Sequence, residues 1–266
     1  MKHLFAPLFF TLALSACDTG PDLAKICNDS PELCNDFNED SWCKRERVDM
    51  IISRNKLKNS QQDVDKYYVL LAYEGYAKCM AHASKIEHIK LKHKKRNRVD
   101  NVVKAKQKIK ELSDETKTSM QPELLYFHWS RYLNEGALEK FLAMEGNPEL
   151  ETPESQFNLA TYYIKRDTDK TLSLLFHALE LSKANESVNK EIFKSLTTIF
   201  TDQREYKQAY IWLKVLNLYD PEDETINEKT LKQYSAGYQL DGDFLDRVAD
   251  ATLDKITNGL FEAPKH

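Results

Sequence analysis

Residues 191–221 read EIFKSLTTIFTDQREYKQAYIWLKVLNLYDP, and this stretch decides the fold. Phe193, Leu196 and Phe200 fall at the three-and-four spacing that puts side chains on one face of a helix. Ala209, Leu213 and Leu216 do the same a short turn later, and Pro221 closes the pair. Working outward, the pattern repeats on both sides. Leu124, Leu159, Leu196 and Leu231 are separated by 35, 37 and 35 residues. The same offsets link Phe141, Phe176, Leu213 and Val248, and again Met144, Leu179, Leu216 and Ala251. Three apolar positions in one register predict four stacked helix pairs over residues 119–258, a short α-solenoid.

The rest of the chain is helical too. Glycine occurs only seven times in 266 residues, no proline lies between Pro31 and Pro122, and Gly75 is the lone glycine of that interval. Alternating strand patterns are absent, so the fold class is all-α. Ser30-Pro31, Gln121-Pro122 and Thr152-Pro153 mark helix starts, because proline in the first turn loses no hydrogen bond. Thr152 serves as an N-cap, and Asp241-Gly242-Asp243 forms a turn before a last helix. Residues 17–40 read as a linker with short helices, and 41–118 as a long helical hairpin. Its arms, near 41–57 and 62–95, reverse at about Asn59. Residues 259–266 read as a frayed tail.

The third pair resembles a tetratricopeptide repeat through Phe193, Leu196, Phe200, Ala209, Leu213, Leu216 and Pro221. In that family the small alanine lets the two helices approach and the proline stops the second. The second pair keeps Leu159, Ala160, Tyr163, Phe176 and Leu179 but lacks the closing proline. More specifically, the chain resembles an uncharacterised family of proteobacterial lipoproteins, a domain of unknown function. The resemblance lies in Trp42-Cys43, in Tyr126-Phe127-His128-Trp129-Ser130-Arg131, in Leu159-Ala160-Thr161-Tyr162-Tyr163 and in Ala209-Tyr210-Ile211-Trp212. That family carries no known activity and implies the extent of the domain, not a mechanism.

The first residues give an address. Lys2 and His3 precede an apolar run from Leu4 to Leu14, shorter than the roughly 20 residues a membrane-spanning helix needs, so 1–16 read as a signal peptide. Leu14-Ser15-Ala16-Cys17 resembles the lipobox of bacterial lipoproteins, which implies acylation of Cys17 and cleavage before it. Asp18 resembles an inner-membrane retention signal. The expected location is the bacterial cell envelope, lipid-anchored and periplasm-facing, at the inner rather than the outer membrane.

Lipidation of Cys17 leaves Cys27, Cys34, Cys43 and Cys79, an even number that suggests two disulfides in an oxidising compartment. Three pairings exist, and Cys27–Cys34 with Cys43–Cys79 is favoured, since the α-hairpin brings Cys43 and Cys79 within about one helical turn. A four-cysteine zinc site is disfavoured by the spacing.

Lys90, Lys92, Lys94, Lys95, Arg96 and Arg98, with His93 among them, form the sharpest charge feature. Such a run can bind anionic lipid or polymer, but the favoured reading is a solvated stretch of a long helix that protrudes from the body. His128, Trp129, Ser130 and Arg131 are adjacent on a helix and cannot converge as a triad, so they read as packing residues with Arg131 at the surface. His177 reads as a partly buried structural histidine. Asp241, Asp243, Asp246 and Asp250 lack EF-hand spacing, and His82, Glu87, His88 and His93 lack a His-Glu-x-x-His arrangement. The sequence therefore predicts no catalytic residues, cofactor or metal. A net charge of −4 gives no reason to invoke nucleic acid. The expected role is a non-enzymatic scaffold that binds a protein partner through the repeats and reaches the membrane through Cys17. The alternatives are an enzyme or accessory factor acting on envelope polymers, or a binder of anionic lipid or polymer.

Overall fold

The computed structural model describes residues 22–37, 40–87, 92–223 and 225–264. The segment 1–16, Cys17, Asp18, His88 and Lys90 lie outside the described residues. Among the described residues there are thirteen α-helices, two 3₁₀ turns and no strand, as the all-α reading requires. None of these helices is long and apolar enough to cross a membrane. The chain forms two compact units that divide between Leu112 and Ser113, a little before the expected boundary.

Unit 1 opens with α1 (Leu23–Asp29) and α2 (Pro31–Asn35). Asp22 caps α1 by accepting from the Lys25 N–H at 3.1 Å, and Pro31 stands in the first turn of α2. The Cys27–Cys34 disulfide clamps the two together. A 3₁₀ turn, Ser41–Cys43, leads into α3 (Lys44–Ser60), which reverses through Gln61 and Gln62 into α4 (Asp63–Ala83). Gln61 closes α3 in the left-handed conformation, φ 53°, and its N–H donates to the Leu57 carbonyl at 2.9 Å. The second disulfide, Cys43–Cys79, ties the start of α3 to the end of α4. Both pairings are the favoured ones, and with all four sulfurs bonded a four-cysteine zinc site is excluded.

The expected arm over 62–95 is instead two helices. α4 stops at Ala83, and α5 (Lys92–Thr116) follows after a turn. The break is secured from outside the helix as well as by its own turn, in which the Ile86 N–H donates to the Ala83 carbonyl at 3.2 Å. The last carbonyls of a helix have no partner within it. Here Arg98, reaching from α5, donates to the Ala83 carbonyl at 2.6 Å. Nor does α5 protrude: Ala105, with Val102, Ile109 and Leu112, packs into the core formed by Phe37, Met50, Tyr76 and Met80.

Unit 2 begins with three helix pairs: α6 (Pro122–Tyr132) on α7 (Glu135–Ala143), α8 (Pro153–Tyr163) on α9 (Thr168–Glu180), and α10 (Glu191–Asp202) on α11 (Tyr206–Tyr219). Side chains of Asn134, Thr152 and Asp167 cap α7, α8 and α9 in turn, and Pro122 and Pro153 occupy first-turn positions as expected. The fourth pair departs from the pattern. α12 (Glu228–Gly237) and α13 (Gly242–Thr257) follow, but α13 packs chiefly on α11.

The first-helix register holds: Leu124, Leu159, Leu196 and Leu231 are all at most 1 % exposed. The second-helix register holds at Phe141, Phe176, Leu179 and Leu216 and departs elsewhere. Trp212, one residue before Leu213, and Ala249, one residue after Val248, are the buried ones, while Leu213 and Val248 are half-buried and Ala251 is exposed. One residue along a helix is a rotation of about 100°. The face that wins is the one carrying Trp212, whose ring lies nearly parallel to Phe193 at 6.1 Å.

A candidate docking groove on the second-helix side of unit 2

The end of α13 redirects the chain. The Gly259 N–H donates to the Ile256 carbonyl and the Leu260 N–H to the Lys255 carbonyl, at 3.1 and 2.8 Å, the two bonds of a Schellman cap. Gly259 sits at φ +66°, and a Cβ there would lie 2.9 Å from the backbone nitrogen of Ala184. Only glycine fits a position that is both left-handed and pressed against another backbone. Residues 260–264 then return across α9 and α11. This corrects the reading of 259–266 as a frayed tail, as far as Pro264.

The Phe261 ring stacks on Phe176 at 6.3 Å and meets Trp212 edge-on at 6.2 Å. The Ala263 N–H donates to Glu180 Oε1 at 2.7 Å. Open space remains on both sides of this return segment. One cavity of ≈ 670 Å³ is floored by Leu172, Phe176, Phe200 and Trp212 and rimmed by Glu205 and Lys255. The other, of ≈ 580 Å³, is bordered by Asp169, Ser173, His177 and Glu180. The groove therefore has an apolar floor and a mostly acidic rim, and it runs along the second helices of the pairs.

His177 stands at that rim, with Nε2 2.7 Å from Glu151 and Nδ1 3.3 Å from Glu180. Burial opposes its charge, but the two carboxylates outweigh burial and hold its pKa above the usual 6.5. The Glu180 carboxyl is held low first by the Ala263 N–H and then by His177, against burial. A histidine with a raised pKa stabilises the fold below its unfolded value, and that contribution disappears as pH rises through the folded value. An NMR titration of the His177 ring should show a midpoint above 6.5, and Glu151→Gln should lower it. A midpoint that ignores the substitution would contradict the pairing.

The other sequence candidates have structural places. Arg98 is 4 % exposed: its Nε donates to Asp40 at 2.7 Å and its Nη2 at 3.1 Å, so it leaves the predicted basic surface. Lys92 opens α5, Lys94 is half-buried, Arg96 is exposed, and Lys95 pairs with Glu87. His128 is buried beside Phe127 and Tyr132, within 3.1 Å of Thr116 Oγ1, while Arg131 is exposed. Asp241 caps α13 and Asp246 accepts from the Tyr210 hydroxyl at 2.8 Å, the structural duties expected of the aspartates. Tyr126, Trp129, Tyr162 and Tyr163 form a half-buried ladder of edge contacts on α6 and α8, away from the groove.

The family model described as "Protein of unknown function (DUF2989)" matches residues 14–214. The chain belongs to that family. The DUF2989 match includes all of unit 1 after its first residues and reaches into α11, so it covers two walls of the groove, α9 and most of α11. Its third wall, α13, and the return segment follow the matched region. No curated protein and no solved structure matches the chain.

Proposed function

We propose that this DUF2989 protein is a lipid-anchored, periplasm-facing scaffold without enzymatic activity. Its tetratricopeptide-like helical pairs bind a protein partner in the groove of unit 2. The observation that carries this reading is the groove itself, an apolar floor already holding an extended segment by one ring and one backbone N–H. The groove is broad, and the one histidine on its rim is engaged in ion pairs, which supports binding over catalysis. Cys17 and the lipobox supply the anchor, and Asp18 supports retention at the inner membrane of the bacterial envelope. Two acyl chains hold a protein to a bilayer stably, whereas one does so only marginally. Binding of anionic lipid or polymer through Lys90–Arg98 has less support, because Arg98 is enclosed by Asp40 and the end of α4.

A photocrosslinker placed at Gln208, on the groove wall, in the full-length protein in intact cells tests the reading. A discrete protein adduct from Gln208 and none from Lys229, outside the groove, is the expected result. Equal capture from both positions, or none from Gln208, would overturn it. In the same cells Cys17→Ser should move the protein from the membrane fraction to the soluble fraction, and Asp18→Asn should shift it toward the outer membrane. Unchanged membrane retention of Cys17→Ser would remove the anchor.

A further inference from the structure

We propose that the groove recognises an extended peptide with an aromatic residue, a small residue two positions later and then proline, and that residues 260–264 are its tethered competitor. The inference rests on the scaffold reading and names the chemistry of the partner.

The return segment displays the recognition pattern. Phe261 supplies the aromatic ring between Phe176 and Trp212, Ala263 supplies the backbone N–H to Glu180, and Pro264 lines both cavities. Proline favours an extended backbone in the residue before it, which suits a segment laid along a groove. The hold is partial. Phe261 is only half-buried, Leu260 is 69 % exposed, and Glu262 is exposed at the edge of the cavity that Asp169, Glu205 and Lys255 also line. A partner with a basic side chain at the Glu262 position brings a cation to Asp169 and Glu205 where the tethered segment brings a third acid, and is the better ligand. Gly259, by contrast, fixes only the direction in which the segment leaves α13. The segment thus competes through proximity: a short tether supplies an effective concentration in the millimolar range.

The test uses the full chain and labelled synthetic pentapeptides read by fluorescence anisotropy. The probes are Leu-Phe-Glu-Ala-Pro, the sequence of residues 260–264, the same peptide with lysine replacing glutamate, and the lysine peptide with alanine replacing phenylalanine. Phe261→Ala and, separately, Gly259→Val release the segment by different routes. Each released variant should bind the lysine peptide at least about tenfold more tightly than the native chain does, because the tethered competitor is gone. The lysine peptide should outbind the glutamate peptide, and the alanine peptide should not bind. Circular dichroism melts establish that each variant remains folded. Equal affinity for native and released chains, absence of binding to both folded variants, or indifference to the peptide phenylalanine would each overturn the proposal. If the peptides fail while Gln208 still captures a protein in cells, the scaffold stands and this ligand class does not. If the peptides behave as expected while Gln208 captures nothing, the groove chemistry stands and the cellular role fails.

Discussion

Arg98→Ala will destabilise unit 1 by about 3–5 kcal/mol, the range for removing one partner of a buried ion pair. Two deficits arise at once. The Asp40 side chain, 11 % exposed, loses both guanidinium bonds, and the Ala83 carbonyl at the end of α4 loses the shorter of its two donors, keeping the Ile86 N–H at 3.2 Å. Asp40 keeps the Trp42 N–H at 2.9 Å and the more distant charge of Lys94. The effect should be cooperative: Asp40→Asn combined with Arg98→Met, which removes both charges, should cost less than Arg98→Ala alone. The pair also sets an acid limit. The Arg98 bonds hold the Asp40 carboxyl below its ordinary 3.8 despite burial. Its contribution is present above that value and is lost as pH falls through the depressed folded pKa. Urea denaturation with hydrogen exchange of the α4 amides measures both effects. An unchanged α4 in Arg98→Ala would show that the ion pair is incidental.

Removing the Cys43–Cys79 disulfide will cost about 4 kcal/mol on chain entropy, against about 2 kcal/mol for Cys27–Cys34, because the bridged separations are 36 and 7 residues. Alanine is the right replacement at Cys43, which is fully buried among apolar side chains, since serine would add an unpaired hydroxyl. Paired alanine substitutions at each bridge, compared by denaturant midpoint, separate the two contributions. A larger loss at Cys27–Cys34 would reverse the expected order and locate the stability of unit 1 in α1 and α2.

The fold was legible where local chemistry alone decides it. Pro122 and Pro153 mark true first turns, Thr152 is a true cap, and the four leucines of the first-helix register are all buried. Cysteine parity, joined to the hairpin, pointed to both disulfides. The misreadings share a cause, a distant partner outbidding the local pattern. Lys85 and its neighbours look as helical as the residues before them, yet α4 stops at Ala83, whose carbonyl accepts from Arg98 of the next helix as well as from Ile86. Leu213 fits a helical face as well as Trp212 does, until Phe193 and Phe176 are beside the indole. Part of the groove had a signal in the sequence: Asn258-Gly259 is a helix-stop pair, and Phe261 is an aromatic residue just beyond it. What periodicity cannot supply is the destination of the chain after that stop, or the Glu180 carboxylate waiting for an N–H there.

The hairpin of α3 and α4 has a further property. Its turn, Gln61 and Gln62, is exposed, yet the chain on either side is joined by Cys43 and Cys79 at the far end. A single cut between Gln61 and Gln62 therefore does not divide the molecule. The two fragments travel as one until a reductant separates them, so unit 1 can be nicked and still hold together in an oxidising compartment.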